Sequence, residues 1–397
     1  MKAVLIKLFF WMIVVPVASE DTTKVIIREI ESNNTTLSVL RSRIEAGKLS
    51  NMTVIFLSDP QVTLNYLWGN PAVIGNRIEL SVIQSFDFPT TYIYRNRIAN
   101  EQNNNLELKY QSEKLLILNE ARKCYVELSF ANNRLKEYQN RQQNAKQVFT
   151  LIQKLADIGE VNALELNKAK LNYEIVSADL EQIRSDKKAV LSRLKALNGG
   201  KDVKHTEFTE SITMLPVDFE SWYSKAEMNN PVLRFAKGQI GIAQKQIKLK
   251  KAERLPRFST GYMSENVGVE TFRGVVLGFT VPLWEQKNTV KHAKLQLESL
   301  ELEMQDTRIQ LYTMFAGLYE RYSDMQKRIM LYRETIDNFH NNDLLLKSLA
   351  AGEISVLTYI RELEYFYDIK DKLLESERDA GIYKAELQAF DVFNEEN

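Results

Sequence analysis

The sequence predicts a mixed α and β chain built from one structural unit used twice, each copy a strand hairpin followed by a long helical hairpin. Three observations carry that prediction. The first is duplicated punctuation: Gly159 lies 70 residues after Pro89 and Gly352 lies 70 after Pro282, so the two pairs are related by a shift of 193. At that shift Phe86-Asp87-Phe88-Pro89 falls on Phe279-Thr280-Val281-Pro282, and Gly159-Glu160-Val161 falls on Gly352-Glu353-Ile354. Farther upstream the shift is 196: Asn33-Asn34 and Leu37 fall on Asn229-Asn230 and Leu233, and Pro60 and Tyr66 on Pro256 and Tyr262. A string of matches in one order is the mark of an internal repeat. It divides the chain into repeats at 20–205 and 206–397. The second observation is a pair of proline-free stretches with apolar heptads, and the third is period-two alternation just ahead of both prolines.

Taken in order, Lys2 and Lys7 precede an apolar run over residues 8–17, and Ala18-Ser19 precede Glu20-Asp21. This is the pattern of a secretory signal peptide over 1–19. The run is shorter than the ~20 residues a transmembrane helix needs. The only cysteine, Cys124, lies far downstream, so no lipid-attachment cysteine follows the run and no internal disulfide can form. Strands follow at about 60–68 and 77–88. Val62, Leu64, Tyr66 and Trp68 alternate with Gln61, Thr63, Asn65 and Leu67, and Ile78, Leu80 and Val82 alternate with Glu79, Ser81 and Ile83.

The first helical hairpin is expected over 89–197 with its tip at Gly159. In its first arm Ile117, Ala121, Cys124, Leu128, Ala131, Leu135, Tyr138, Ala145, Phe149 and Ile152 form a heptad stripe with polar Gln142 as the gap. Cys124 sits in that stripe as a small buried apolar side chain. A 70-residue arm reaches ~105 Å at ~1.5 Å per residue, and glycine suits the left-handed turn that ends it. In the second repeat Phe258, Thr260 and Tyr262 mark a weaker strand at about 256–264, Val275, Leu277, Phe279 and Val281 a strong one at about 274–283, and residues 265–274 a loop. The second helical hairpin is expected over 284–390 with its tip at Gly352. Its first arm runs to 349 on the stripe Val290, Ala293, Leu297, Leu300, Met304, Leu311, Met314, Leu318, Tyr322, Met325, Ile329, Tyr332, Ile336 and Phe339, with a stutter that lets the helix run straighter.

Composition narrows the function. The 52 basic and 52 acidic residues cancel, which excludes the basic excess of a nucleic-acid binder. After the leader no apolar run is long enough for a transmembrane helix, so entry into a membrane would be as strands. Four strands cannot close a barrel, and open edges cannot lie in lipid. Closed transmembrane barrels start at eight strands, which two copies would meet and three would exceed with twelve. No Gly-x-Ser-x-Gly, His-Glu-x-x-His or phosphate-loop pattern is present, and His205, His292 and His340 lie in separate segments with no metal-ligand spacing, so neither an enzyme nor a metal site is expected.

In the order and equal spacing of these marks the chain resembles the TolC-like outer-membrane efflux proteins. The carrying residues are Pro89 and Pro282, the motifs Gly159-Glu160-Val161 and Gly352-Glu353-Ile354, and the stretch from Asn229-Asn230-Pro231 through Ala252 to Pro256. The resemblance implies a homotrimer whose chains give one twelve-stranded β-barrel in the outer membrane of a Gram-negative bacterium, above a long α-helical coiled-coil tunnel in the periplasm. It also implies shorter helices over 33–51 and 217–252. The implied function is a passive exit duct of a tripartite efflux system, without catalysis or cofactor. Its partners would be outer-membrane lipid, a periplasmic adaptor (membrane fusion) protein and an inner-membrane transporter. Gly159, Glu160, Val161, Gly352, Glu353 and Ile354 would contact the adaptor.

The resembled family gates its tunnel near the second tip with a tyrosine three before the glycine, an arginine two after it, and aspartates six and nine after it. Here those positions hold Leu349, Ile354, Thr358 and Arg361, none of them retained, while Glu165 matches an acidic gate position of the first repeat. The gate candidates are therefore Leu164, Glu165, Leu349, Thr358, Arg361 and Glu362, with the narrowest ring expected at 358–362. Arg361 would be its decisive charge unless Glu362 or Glu364 compensates, and the plainer reading pairs Arg361 with Glu364 along one helix. Two other uses share much of this pattern: a structural or adhesive coiled coil of the envelope, which leaves the strand hairpins unexplained, and the duct of a type I protein secretion system.

Overall fold

The computed structural model describes residues 22–203, 218–338 and 342–389. The expected signal peptide, His205, Phe339 and His340 lie outside the described residues. In chain order the elements are α1 (Thr22–Asn33), α2 (Thr35–Thr53), β1 (Gln61–Leu67), a single 3-10 turn (Ala72–Ile74), β2 (Arg77–Phe86), α3 (Pro89–Asp157) and α4 (Ala163–Leu197). The second repeat supplies α5 (Phe219–Asn229), α6 (Pro231–Ala252), β3 (Arg257–Val267), β4 (Glu270–Thr280), α7 (Thr289–Asn338), α8 (Asn342–Ala350) and α9 (Val356–Gln388). Helix α1 is absent from the sequence expectation. It buries Ile26, Ile27 and Ile30, a single helical turn of apolar residues set among charges and too short to show a period.

The Asn-Asn pairs matched by sequence break a helix in both repeats, α1 from α2 and α5 from α6. At the second break the reason is local: the Asn230 side chain accepts the Val232 and Leu233 amides, and Pro231 sits in the first turn, where its missing N–H costs nothing.

The four strands form one antiparallel sheet in the order β1-β2-β3-β4. The hairpins of the two repeats join through β2 and β3, from Phe86 opposite Phe258 to Arg77 opposite Val267. The expected loop at 265–274 is corrected to strand. β3 and β4 pair without a break from Arg257 opposite Thr280 to Val267 opposite Glu270, leaving only Gly268 and Val269 as the turn. Gly268 has φ +59, which a two-residue hairpin needs at its first central position.

The second helical hairpin is also corrected. Pro89 opens α3 directly, whereas after Pro282 a turn intervenes: the Lys287 amide donates to the Trp284 carbonyl, Asn288 takes φ 65, and the Asn288 carbonyl accepts the His292 amide to begin α7. Equal spacing of the prolines thus conceals two different junctions. The expected continuous arm to 349 consists of α7 and α8, and in α7 Ala293, Leu318 and Ile329 of the stripe are buried, with Phe315 buried in place of the expected Met314, which is exposed.

Contacts sort the chain into two units. Among the described residues one draws on 22–34, 120–203, 327–338 and 342–382, and its core is helical: Cys124, Tyr125, Leu128, Leu180 and Ile183 are all buried. Burial raises the Cys124 thiol pKa to about 11, so it remains a protonated, apolar filler. The other unit draws on 35–119, 218–326 and 383–389. It holds the sheet and an aromatic cluster in which Phe219, Trp222 and Tyr223 of α5 pack on Tyr312, Phe315 and Tyr319 of α7.

Candidate functional site

Both helical hairpins turn by the same chemistry. At the first tip the Gly159 amide donates to the Ala156 carbonyl and the Glu160 amide to the Leu155 carbonyl, with Gly159 at φ +80. At the second the Gly352 amide donates to Leu349 and the Glu353 amide to Ser348, with Gly352 at φ +74. Each is a six-to-one, five-to-two helix stop that requires a left-handed residue. Three residues after each glycine comes a cap: Asn162 accepts the Glu165 amide and Ser355 the Thr358 amide. Glu160 and Glu353 are exposed, while Val161 and Ile354 fold back against the core.

That core is shared by the two tips. Val148 and Ile152 of α3, Ala169 of α4, Leu349 of α8 and Val356, Tyr359 and Leu363 of α9 form one buried cluster. Glu165 ties the tips further, accepting the Val356 amide at 3.0 Å and the Lys168 ammonium at 2.9 Å. A carboxylate at the first amides of α9 satisfies an orphan donor and complements the helix dipole.

Deeper in the bundle lies a residue the sequence reading missed. Arg141 of α3 has only 5% of its side chain exposed. It donates to both carboxylate oxygens of Asp371 on α9 (2.9 and 2.7 Å), to Glu137 (3.1 Å) and to the Tyr367 carbonyl (3.3 Å). Its guanidinium lies 4.5 Å from the Tyr138 ring centre and 4.3 Å from that of Tyr367. Burial opposes the charge, but the Asp371 hydrogen bonds and charge outweigh it and hold the arginine pKa above its ordinary value. Lys370 pairs with Glu137 at 3.0 Å, and Asn144 bridges the Tyr359 and Tyr367 hydroxyls at 3.2 Å each. The available signal was the heptad gap after Tyr138, where either 141 or 142 must face inward and both are polar.

The sheet has two unlike faces. One carries Val62, Leu64 and Tyr66, then Ile78, Leu80 and Val82, then Phe258 and Tyr262, then Val275, Leu277 and Phe279. None of the described residues covers this face: Leu64 is 68% exposed and Leu277 81%. The other face is mostly polar or glycine: it carries Gln61, Thr63, Asn65, Ser81, Ser259, Gly261 and Gly278, with Arg77 paired to Glu265 at 2.9 Å, among the apolar Leu67, Ile83, Met263, Phe272 and Val276. Such alternation is what a wall between lipid and water requires.

No protein-family model matches the sequence, and no curated protein matches it. Among solved structures, a membrane protein from Pseudomonas aeruginosa superposes with a TM-score of 0.79 at 14% identity, over 94% of this chain and 92% of that one. The CusC channel, described as undergoing conformational changes during folding and transmembrane channel formation, gives 0.78 at 12% over 94% and 92%. The outer-membrane channel OprN gives 0.73 at 16% over 94% and 89%. The chain has the TolC-like outer-membrane channel fold.

Within this channel fold the gate candidates separate by environment. Leu349 is buried in the tip core, and Glu165 is engaged with Val356 and Lys168. The Thr358 hydroxyl is bonded to that of Ser355 at 3.0 Å. Leu164, Arg361 and Glu362 are exposed. Among the described residues neither Glu362 nor Glu364 makes an ion pair with Arg361, so the i, i+3 pair of the plainer reading is absent. Arg361 shares an exposed face of α9 with Leu357 and Tyr365.

Proposed function

We propose that this chain is one subunit of a homotrimeric, passive outer-membrane exit duct. Three four-stranded sheets close one twelve-stranded barrel, and the helical hairpins extend into the periplasm. The observation that carries this reading is the sheet itself: an uncovered apolar face, a mostly polar opposite face, and outer edges on β1 and β4 with no partner strand among the described residues. Strand edges cannot be left open in lipid, and only copies of the chain supply matching ones. Substrate would arrive from an inner-membrane transporter through a periplasmic adaptor docked at the tips, where Glu160 and Glu353 are exposed. Thr358, Arg361 and Glu362 would form the constriction, with Arg361 setting its charge. The test is the location and mass of the native protein. It should fractionate with the outer membrane and, extracted in detergent, show the native mass of three chains. Recovery as a soluble periplasmic monomer would refute the reading.

A further inference from the structure

We infer that the buried Arg141 network is a register lock, fixing how far α9 is advanced along α3. The need for one follows from the stripe that makes the bundle. Cys124, Ala131, Tyr138, Ala145 and Ile152 are buried on α3 at strict intervals of seven, and Tyr359, Ala380 and Leu387 on α9 fall on one sevenfold series. Heptad seams of this kind match themselves after a slip of one heptad, about 10 Å at ~1.5 Å per residue. Along the seam apolar packing alone therefore distinguishes the registers weakly, and beyond the tip, where Glu165 holds the Val356 amide, a polar contact has to do so.

Arg141 distinguishes them strongly. A slip of seven in one direction brings Arg378 to the position of Asp371, setting two guanidinium groups together in the bundle. In the other direction Glu364 takes the place of Asp371 and preserves a carboxylate, but Ile360 then replaces Tyr367 and Leu363 replaces Lys370. That register loses the second ring over Arg141, both hydroxyl partners of Asn144, because Gly352 takes the place of Tyr359, and the cation paired with Glu137. Only the observed register satisfies every member of the network, and a buried charge left partly unpaired is costly. Arg141 is thus a positioning residue. On the duct reading, on which this consequence rests, the lock fixes the level at which Thr358, Arg361 and Glu362 stand.

The test measures register directly and needs no transport. In a Cys124→Ala background, spin labels on cysteines substituted for Asn140 and Glu375, both exposed, report the spacing of α3 and α9 when labelled chains are diluted into unlabelled ones. The parent should give one narrow distance. R141M combined with D371L removes both charges of the pair while Glu137 keeps Lys370, and should add a second distance corresponding to a one-heptad slip. Arg141→Lys, which retains the cation, should restore the single distance, a rescue that simple space-filling does not explain because methionine fills the site as well. A single native distance in the apolar variant would overturn the lock. Loss of helical signal in that variant, with Arg141→Lys showing the same loss, would also overturn it, since the network would then serve stability alone.

Discussion

At the scale of single residues, environment divides side chains that look alike in sequence. Arg141 and Arg361 are both arginines on long helices facing a heptad seam or its flank. Arg141 is enclosed between two tyrosine rings and a bidentate carboxylate, whereas Arg361 is exposed with no ion-pair partner among the described residues. The first is committed to packing and the second is available to set a local potential. Copies of Arg361 brought together by symmetry at a constriction would repel cations. In planar bilayers Arg361→Glu is expected to move ion preference toward cations, while unchanged selectivity would place Arg361 in the tunnel wall. Sequence alone could not separate the two arginines. Arg141 fell in an apparent polar gap of the stripe, and only the three-dimensional approach of Asp371, Tyr367 and Glu137 reveals it as part of the core.

At the scale of elements, the tips show how a short motif specifies a hairpin. Gly-Glu-Val-Asn and Gly-Glu-Ile-Ser stop one helix with a left-handed glycine and start the next with a capping oxygen. Replacing Asn162 by Ala removes one cap and should destabilise the first turn of α4 by about 1 kcal/mol. Hydrogen exchange at residues 163–166 should accelerate accordingly, with the second tip unaffected in its own cap; equal protection would assign the stop to the glycine alone. The tips were legible because their residues act locally. The strands were legible only where alternation is apolar: β1 and β2 stand out, but β3 and β4 continue through Glu265, Asn266, Glu270, Thr271 and Arg273, whose polarity reads as loop. Those residues lie at the far end of the sheet, where the apolar band has ended while the ladder continues. Likewise the start of α7 depends on Asn288 in the left-handed region and not on the proline that matches Pro89.

At the scale of the whole molecule, the central claim is that the chain is a fraction of a closed structure. Among the described residues apolar surface remains uncovered beyond the sheet: Leu295, Leu302 and Ile309 stand exposed at intervals of seven on α7, and Leu164, Leu171 and Ile175 on α4. Exposed heptad faces and unpaired strand edges are the two features a folded chain leaves open when copies are to complete it. The internal repeat was readable from sequence because it is written in prolines and glycines. The number of copies is not written there, since closure depends on strand tilt and shear that no local pattern records. The direct measurement joins the outer strands of neighbouring copies. In a Cys124→Ala background, Thr63→Cys on β1 and Gly274→Cys on β4, where an added side chain meets nothing within 4 Å, are bridged by a short bis-maleimide in detergent-extracted protein. The account predicts a ladder of one, two and three linked chains that ends at three. Reaction confined within single chains, or a ladder continuing past three, would contradict a barrel closed by three copies.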